Sequence, residues 1–283
     1  MKALLKHHFN AWGYQAFKYL VYLLLAYNLV LFYQEESTAA VVTFAAGFTL
    51  SNFVEAFSAT VDTAAWVLLL LLFELETYTI EDEQITGWTK RAMHGFRIFC
   101  YFFIVYAFYG YMVKLGLTFN FSDVQFSDLC TISGDFKYME TLNEYIQLTQ
   151  QNCSDYGYNA TSYLSHDSLS ILSSKEDLFW TQALAWVDVI NAAAWLVVVL
   201  MLEYDVRVQL GKYSSAFWQK YSKVIKSSVY LILFVASVYW GFEGTFVDFW
   251  DSFLWLVAFF LIELNIFEWQ AEVSEKKQTV LTN

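Results

Sequence analysis

The sequence predicts an all-α polytopic membrane protein: six transmembrane helices in three tandem hairpins, plus one interfacial or re-entrant helix. Three observations support this fold class: the composition, six long apolar stretches, and a repeated spacing of polar residues. Of the 283 residues, 58% are hydrophobic and 20% aromatic, 16% are charged, and none is proline. Soluble domains carry about 25% charge, and disordered chains are polar and poor in aromatics. The composition therefore argues against a soluble enzyme and against a disordered chain.

A bilayer core about 30 Å thick needs roughly 20 mostly apolar residues per helix. Six stretches approach that length, and they define the six predicted spans: 18–33, 60–75, 97–113, 184–202, 226–242 and 247–266.

The segment 37–58 is also apolar, but it is rich in small residues and is interrupted by Gly47, Ser51, Asn52 and Glu55. We expect it to form an interfacial or re-entrant helix, and a full span is the alternative. The predicted domains are 1–80 (hairpin 1 with segment 37–58), 81–210 (hairpin 2) and 211–283 (hairpin 3 and a cytoplasmic tail).

Lysine and arginine are distributed unequally between the two sides of the predicted spans. Thirteen of the 16 lie on the side of the termini, and three lie on the other side. Basic residues near helix ends mark the cytoplasmic side. We therefore expect both termini to be cytoplasmic, in a bacterial inner membrane or a eukaryotic plasma membrane or endomembrane.

The loop 115–183 lies on the predicted outer side and carries much of the net charge of −12. Its nine acidic and two basic residues give it a charge of about −7, which would attract cations. The loop also holds Cys130 and Cys153. Since an outer compartment is oxidising, we expect these two cysteines to form a disulfide.

An internal repeat is the most informative feature of the sequence. The second, fourth and sixth spans share the spacing of an aspartate or asparagine, a tryptophan four residues later, a glutamate eight further on, and a polar residue two beyond. The first, third and fifth spans each begin with a cation followed four residues later by tyrosine. The polar set comprises Asp62, Glu74, Glu76, Asn191, Glu203, Asp205, Asp251 and Glu263; the cations are Lys18, Arg97 and Lys226.

The two ends of each repeated motif cannot both lie outside the membrane. Twelve helical residues cover about 18 Å, which is less than the thickness of the hydrocarbon core. Intramembrane acids normally face a bundle interior or a watery cavity and have a partner. We expect Lys18, Arg97 and Lys226 to form ion pairs with Glu74, Glu203 and Glu263. Such pairs would hold helices together, or the acids would line a path for cations or protons or bind a cationic ligand. Binding of lipid headgroups at the cytoplasmic edge is a further alternative.

The repeated tryptophans Trp66, Trp195 and Trp255 lie too deep in their spans for all of them to belong to an interfacial belt. We expect them to pack in the interior, and a contact with lipid or quinone is the alternative.

The chain lacks the common sequence signatures of catalysis and cofactor binding. It has no nucleotide-binding glycine pattern, no H-E-x-x-H and no C-x-x-C. The pI near 4.7 argues against nucleic-acid binding. We expect no cofactor, no metal and no catalytic residue, and an enzyme is the less favoured class.

Two functions remain after these exclusions. The first is a non-enzymatic structural or accessory subunit of a membrane assembly, which would contact the lipid bilayer and other membrane subunits or copies of itself. The alternative is a cation or proton channel or transporter that uses the repeated intramembrane acids.

Overall fold

The structure is a computed structural model that describes residues 2–44, 47, 49, 53–75, 87–126, 128–157, 163–209 and 216–261. The side chains of residues 2–12, 202, 203, 205–209 and 216–219 lie outside the described part. The chain is mostly helical, at 77%, and it also contains a small sheet. The prediction of an all-α protein is therefore wrong in the loop between the third and fourth predicted spans.

The helices follow the apolar stretches of the sequence. Helix α1 is Lys2–Thr43, α2 is Phe53–Ala56, α3 is Ser58–Glu74, α4 is Gly87–Leu117, α5 is Cys153–Gly157, α6 is Lys175–Gln209 and α7 is Ala216–Glu243. A last helix, α8, covers 246–261.

Four helical segments are long and apolar enough to cross a membrane: Gly13–Thr43, Gly87–Leu117, Lys175–Met201 and Lys220–Glu243. Their outer faces expose large apolar side chains, including Leu23, Phe102, Leu200 and Leu231. A soluble protein rarely exposes so much contiguous apolar surface. These helices fit a membrane protein. Helices α3 and α8 occupy two further predicted spans and are shorter in the described part of the chain.

The long helices and α8 surround one hydrophobic core. Helix α3 packs against α1 and α4, α4 packs against α6, and α6 packs against α7. The core takes buried residues from all six of α1, α3, α4, α6, α7 and α8, and fully buried examples are Leu25, Ala258 and Leu233. Because no proline interrupts these helices, their backbone hydrogen bonds can continue through the core.

The sheet lies between α4 and α6 and has five strands in the order β1-β4-β5-β2-β3. The strands are β1 (Phe121–Val124), β2 (Lys137–Met139), β3 (Tyr145–Gln147), β4 (Tyr163–His166) and β5 (Ile171–Ser174). Strands β2 and β5 are parallel, and the other pairs are antiparallel. Strands of three or four residues are too short for a clear alternation of apolar and polar residues, so sequence periodicity could not predict them. We call residues 118–174 the sheet domain.

The predicted disulfide is confirmed, since Cys130 and Cys153 are bonded within the sheet domain. The bond joins a short 3-10 turn, Leu129–Ile132, to α5. It lies beside a small core that contains Leu148 and Leu172. The loop is therefore a folded unit with its own core.

The segment 37–58 does not form one separate interfacial or re-entrant helix. Its first residues continue α1 as far as Thr43, a turn with Gly47 at a positive φ follows, and α2 and Ser58 belong to a second helical run. Helix α1 continues because 34–43 contains alanine, valine and threonine without a helix breaker.

Candidate functional site

A polar cavity lies at the end of the helix bundle that faces the sheet domain. Its volume is about 80 Å³, which is room for about five water molecules. Four carboxyl groups line it: Asp62 on α3, Asp188 on α6, and Asp248 and Asp251 on α8. Among the described lining side chains, one ammonium group, that of Lys114, faces this acidic set. The cavity therefore gathers four carboxyl groups within the bundle.

The repeated spacing of aspartate and tryptophan has a local structural reason. A carboxylate and an indole four residues apart lie on the same side of a helix. Asp62 lies close enough to Trp66 to interact with it, and Asp251 lies close to Trp255 in the same way. Asn191 and Trp195 occupy the same positions in α6 and also line the cavity. The repeated polar residues and tryptophans thus lie together on the cavity wall.

The three repeated tryptophans meet at the inner end of the cavity. The ring centroids of Trp66 and Trp195 are 5.7 Å apart, and those of Trp66 and Trp255 are 6.1 Å apart. Phe259 completes the cluster at 4.6 Å from Trp195. All four rings are buried and also line the cavity. We call this group the tryptophan floor.

Two lining acids, Asp188 and Asp248, are not among the predicted site residues. Each lies three residues before a repeated polar residue, Asn191 or Asp251, and so shares its helix face. The extended pattern Asp-x2-Asp/Asn-x3-Trp occurs in both α6 and α8, and Ala59 stands at the matching position before Asp62. Comparing the three spans three residues further upstream would have found this signal.

The partners of the lining acids in the described part of the chain are neutral. Asn28 donates to Asp251 at 2.8 Å, Tyr111 donates to Asp62 at 3.4 Å, and Trp240 donates to Asp188 at 3.2 Å. Asp248 accepts from the backbone N–H and hydroxyl of Thr245 at the start of α8. Neutral donors orient these carboxylates without supplying positive charge.

Glu36 is held differently, although it lies beside the cavity. Lys114 donates to its carboxylate at 2.5 Å, and the backbone N–H groups of Ala59 and Thr60 donate at 2.9 Å each. The orphan N–H groups at a helix start favour a carboxylate. Glu36 thus joins α1, α3 and α4 at one point. This residue was not predicted, because its partners are distant in sequence.

The opposite end of the bundle contains a buried ion pair. Lys18 on α1 lies 2.5 Å from Glu74 on α3, and the two side chains are 0% and 7% exposed. Tyr19 and Tyr22 donate to the same carboxylate. The structure therefore brings together one cation and one acid of the predicted ion-pair set.

The other predicted ion pairs involve side chains beyond the described part. Arg97 lies on α4 and Lys226 on α7, and both are half-buried. Glu76 and Glu263 lie outside the described residues. Glu203 and Asp205 lie on α6, but their side chains also lie outside the described part.

The sheet domain contributes to the cavity wall. Leu142 and Asn143 line it, and Asn143 donates to Glu35 on α1 at 2.9 Å. A smaller, mostly apolar cavity lies between the domain and the bundle, beside His166 and Lys114. Burial lowers the pKa of His166 below its usual value. His166 accepts two backbone hydrogen bonds at Nδ1, while Nε2 has no partner in the described part.

Comparison of the chain with known protein families, with curated proteins and with solved structures finds no match. The lining of the cavity offers carboxylate and amide oxygens together with indole rings. Such a lining attracts positively charged ligands and repels anions.

Proposed function

We propose that this membrane protein binds a small cation in the cavity and moves it across the bilayer, as a channel or transporter. Its six spans would form three tandem hairpins with both termini in the cytoplasm. The observation that carries the proposal is the convergence of four carboxyl groups from three helices in one cavity. Ionisable groups inside a membrane are costly and commonly mark the path of an ion or substrate.

The position of the tryptophan floor supports a binding site with restricted access. Trp66, Trp195 and Trp255 pack across the bundle core below the acids. Lys18 and Glu74 form a further buried contact at the other end. Passage of a cation would require these rings to separate, so the structure fits a closed state better than an open pore.

The proposal can be tested by charge movement in proteoliposomes. The protein is adsorbed on a solid-supported membrane, and the current is recorded after concentration jumps of KCl, NaCl and ethylammonium chloride. At least one cation should give a current with the wild type, and Asp188→Asn should reduce it. Asp123→Asn is the matched control, because Asp123 lies in the sheet domain with its side chain 68% exposed.

Two results would contradict the proposal. One is a wild-type protein that gives no current and no cation-dependent stabilisation with any of the three salts. The other is an Asp188→Asn variant that gives the same currents as Asp123→Asn.

A structural or accessory subunit is the second candidate function. The sheet domain favours it, because this domain has its own core and disulfide and forms a folded, acidic surface beyond the helices. Such a surface could dock to other membrane subunits or to a second copy of the chain. Gentle solubilisation should then recover a stoichiometric complex, and a partnerless monomer with cation currents would contradict it.

A further inference from the structure

The end of α4 that lies away from the sheet domain carries two exposed cations. Lys90 and Arg91 lie near the start of the helix, and both side chains are exposed. Among the described residues, no acid forms an ion pair with either of them. Helix α4 itself contains no aspartate or glutamate. In a chain with a net charge of −12, this is a local excess of positive charge.

An exposed apolar stripe runs along the same face of α4. Four large side chains on this helix are about half exposed or more: Ile98, Phe102, Val105 and Tyr109. Their spacing of four, three and four residues places them on one side of the helix. Arg91 lies seven residues before Ile98 and therefore continues the stripe toward the helix start. The face of α4 that would contact acyl chains thus ends in a cation.

The position of Arg91 along α4 matches the headgroup layer of a bilayer. The sheet domain begins at residue 118, so the membrane-embedded part of α4 ends by Leu117. From Ile98 to Leu117 the helix covers about 29 Å, which is close to the thickness of a hydrocarbon core, about 30 Å. Arg91 lies about 10 Å beyond Ile98 along the helix axis. Its long side chain can extend back toward the headgroups while its apolar stem stays against the helix.

Trp88 lies beside the cations and supports this depth. Its side chain is 80% exposed. Tryptophan is enriched where the membrane meets water, because its ring is apolar and its N–H group can reach a polar partner. On the helix, Trp88 and Lys90 lie on either side of Arg91. We call these three side chains the α4 basic patch.

Helix α7 has a similar arrangement at the same end of the bundle. Lys220 is exposed, and its ammonium lies 5.2 Å from the centre of the Tyr221 ring. Three exposed apolar residues follow Lys220 on the same face of the helix: Val224, Leu231 and Val238. Since α6 runs away from the sheet domain and α7 returns toward it, α7 begins at the end where α4 begins. Two long helices therefore place an exposed cation in line with an apolar stripe.

We infer that the α4 basic patch binds the phosphate of an anionic lipid headgroup. A lipid whose acyl chain packs along Ile98 and Phe102 has its phosphate beside Arg91, and a guanidinium binds phosphate through two parallel hydrogen bonds. Phosphatidylglycerol keeps a net negative charge, whereas the choline of phosphatidylcholine neutralises the phosphate within the headgroup. Cations at a membrane surface therefore favour the anionic lipid. This binding does not depend on what occupies the sheet-side cavity.

Quenching of Trp88 fluorescence by brominated lipid tests the inference. The full chain is reconstituted in phosphatidylcholine bilayers with increasing fractions of brominated phosphatidylglycerol or, in parallel, brominated phosphatidylcholine. Each series is repeated with Trp88→Phe, and the difference in intensity is the signal of Trp88. Half of the maximal quenching should need a fraction of the anionic lipid about fivefold lower than that of the zwitterionic lipid. Raising NaCl to about 0.5 M should reduce this preference, because salt screens exposed charges.

Variants assign the preference to the two cations. The double variant Lys90→Gln with Arg91→Gln should quench equally with both lipids, whereas Arg91→Lys keeps the charge and should keep most of the preference. Lys175→Gln is the matched control, because Lys175 is an exposed lysine in the sheet-side half of the molecule and should leave the preference unchanged. Arg91→Gln alone replaces the double variant if that variant does not fold, and it should lower the preference.

Three results would overturn the inference. The first is a wild type that is quenched equally by both lipids, which would mean that acids such as those at 81–83, outside the described residues, neutralise the two cations. The second is a double variant that keeps the wild-type preference. The third is a Lys175→Gln variant that loses the preference to the same extent as the double variant, which would make it a general effect of protein charge.

Discussion

The two ends of the helix bundle hold their buried acids in different ways. At the end away from the sheet domain, Glu74 has a lysine and two tyrosine donors. At the sheet-side end, Asp62, Asp188 and Asp251 have neutral donors in the described part of the chain. The first arrangement neutralises its charge within the protein. The second leaves these carboxyl groups with no charged hydrogen-bond donor among the described residues.

The difference shows which acids serve the fold. A buried ion pair is weak evidence for stability when compared with an apolar pair, yet removing one partner is costly. Glu74 and Glu36 each join helices that are distant in sequence. The cavity acids are instead held mostly by the indole, amide and hydroxyl groups around them. We therefore expect substitutions at the end away from the sheet domain to lower stability more than they weaken ligand binding. Substitutions at the cavity end should weaken ligand binding more than they lower stability.

Breaking the Lys18–Glu74 ion pair, at the end away from the sheet domain, should have the largest effect on stability. Glu74→Gln leaves the fully buried ammonium of Lys18 without its carboxylate, so unfolding free energy should fall by about 3–5 kcal/mol. Denaturant unfolding in mild detergent measures it. The double variant Lys18→Met with Glu74→Leu removes both charges and should recover most of the loss. A Glu74→Gln variant as stable as the wild type would contradict the conclusion that this ion pair serves the fold.

The pair beside the cavity should be less costly to break. Lys114→Gln leaves Glu36 with the N–H groups of Ala59 and Thr60, so the loss should be about 2 kcal/mol. Lys175→Gln is the control, because it breaks the exposed Lys175–Asp123 contact, which we expect to contribute less than about 1 kcal/mol. The same unfolding measurement applies. Equal losses in both variants would show that Glu36 does not depend on its ammonium partner.

Much of the difference between the two ends of the helix bundle can be predicted from the sequence, because it follows from the spacing of the repeated residues along the helices. The repeated Asp-x3-Trp pattern predicted polar residues and tryptophans on one helix face, and Trp66, Trp195 and Trp255 do meet. The pairing of Lys18 with an acid followed from their positions at the same predicted membrane side. Helical periodicity makes this prediction possible, because successive side chains are rotated about the helix axis by a fixed angle.

The rest depends on contacts between segments that are distant in sequence. Glu36 caps α3 and pairs with Lys114 across 78 residues, and no local pattern marks it. The five short strands have no clear periodicity, so the sheet domain was not predicted. Asp188 and Asp248 had a usable signal, since each lies three residues before a repeated polar position.

Neutralising one cavity acid should change stability little. Asp62→Asn keeps the size of the side chain and a partner for Tyr111, and it removes one buried ionisable group. We expect the unfolding free energy without added cation to stay within about 1 kcal/mol of wild type. The response of the Tm to an added cation should weaken at the same time. A loss as large as that of Glu74→Gln would place Asp62 with the structural acids.

The smallest effect concerns His166, which lies between the sheet domain and the bundle. Burial lowers the pKa of His166 in the folded state, so the unfolded state binds a proton more readily. Stability should therefore fall as pH drops below about 6.5, the usual histidine pKa. Protection factors of the β4 and β5 amides at pH 7.5 and 5.5, corrected for the intrinsic exchange rate at each pH, measure this, and His166→Asn should flatten the difference.

His166 extends the comparison to a buried group whose neutral form is the stable one. Its Nδ1 accepts from the backbone N–H groups of Ser168 and Leu169, whereas Nε2 has no partner in the described part. Protonation would add a charge inside the domain, and Asp167 is the nearby acid that opposes the effect of burial. If the protection factors of the strands are higher at pH 5.5 than at pH 7.5, attraction to Asp167 exceeds the cost of burial. In that case His166 resembles Lys18, because a nearby acid neutralises its charge. The attraction between the two charges would then exceed the cost of removing the imidazolium from water.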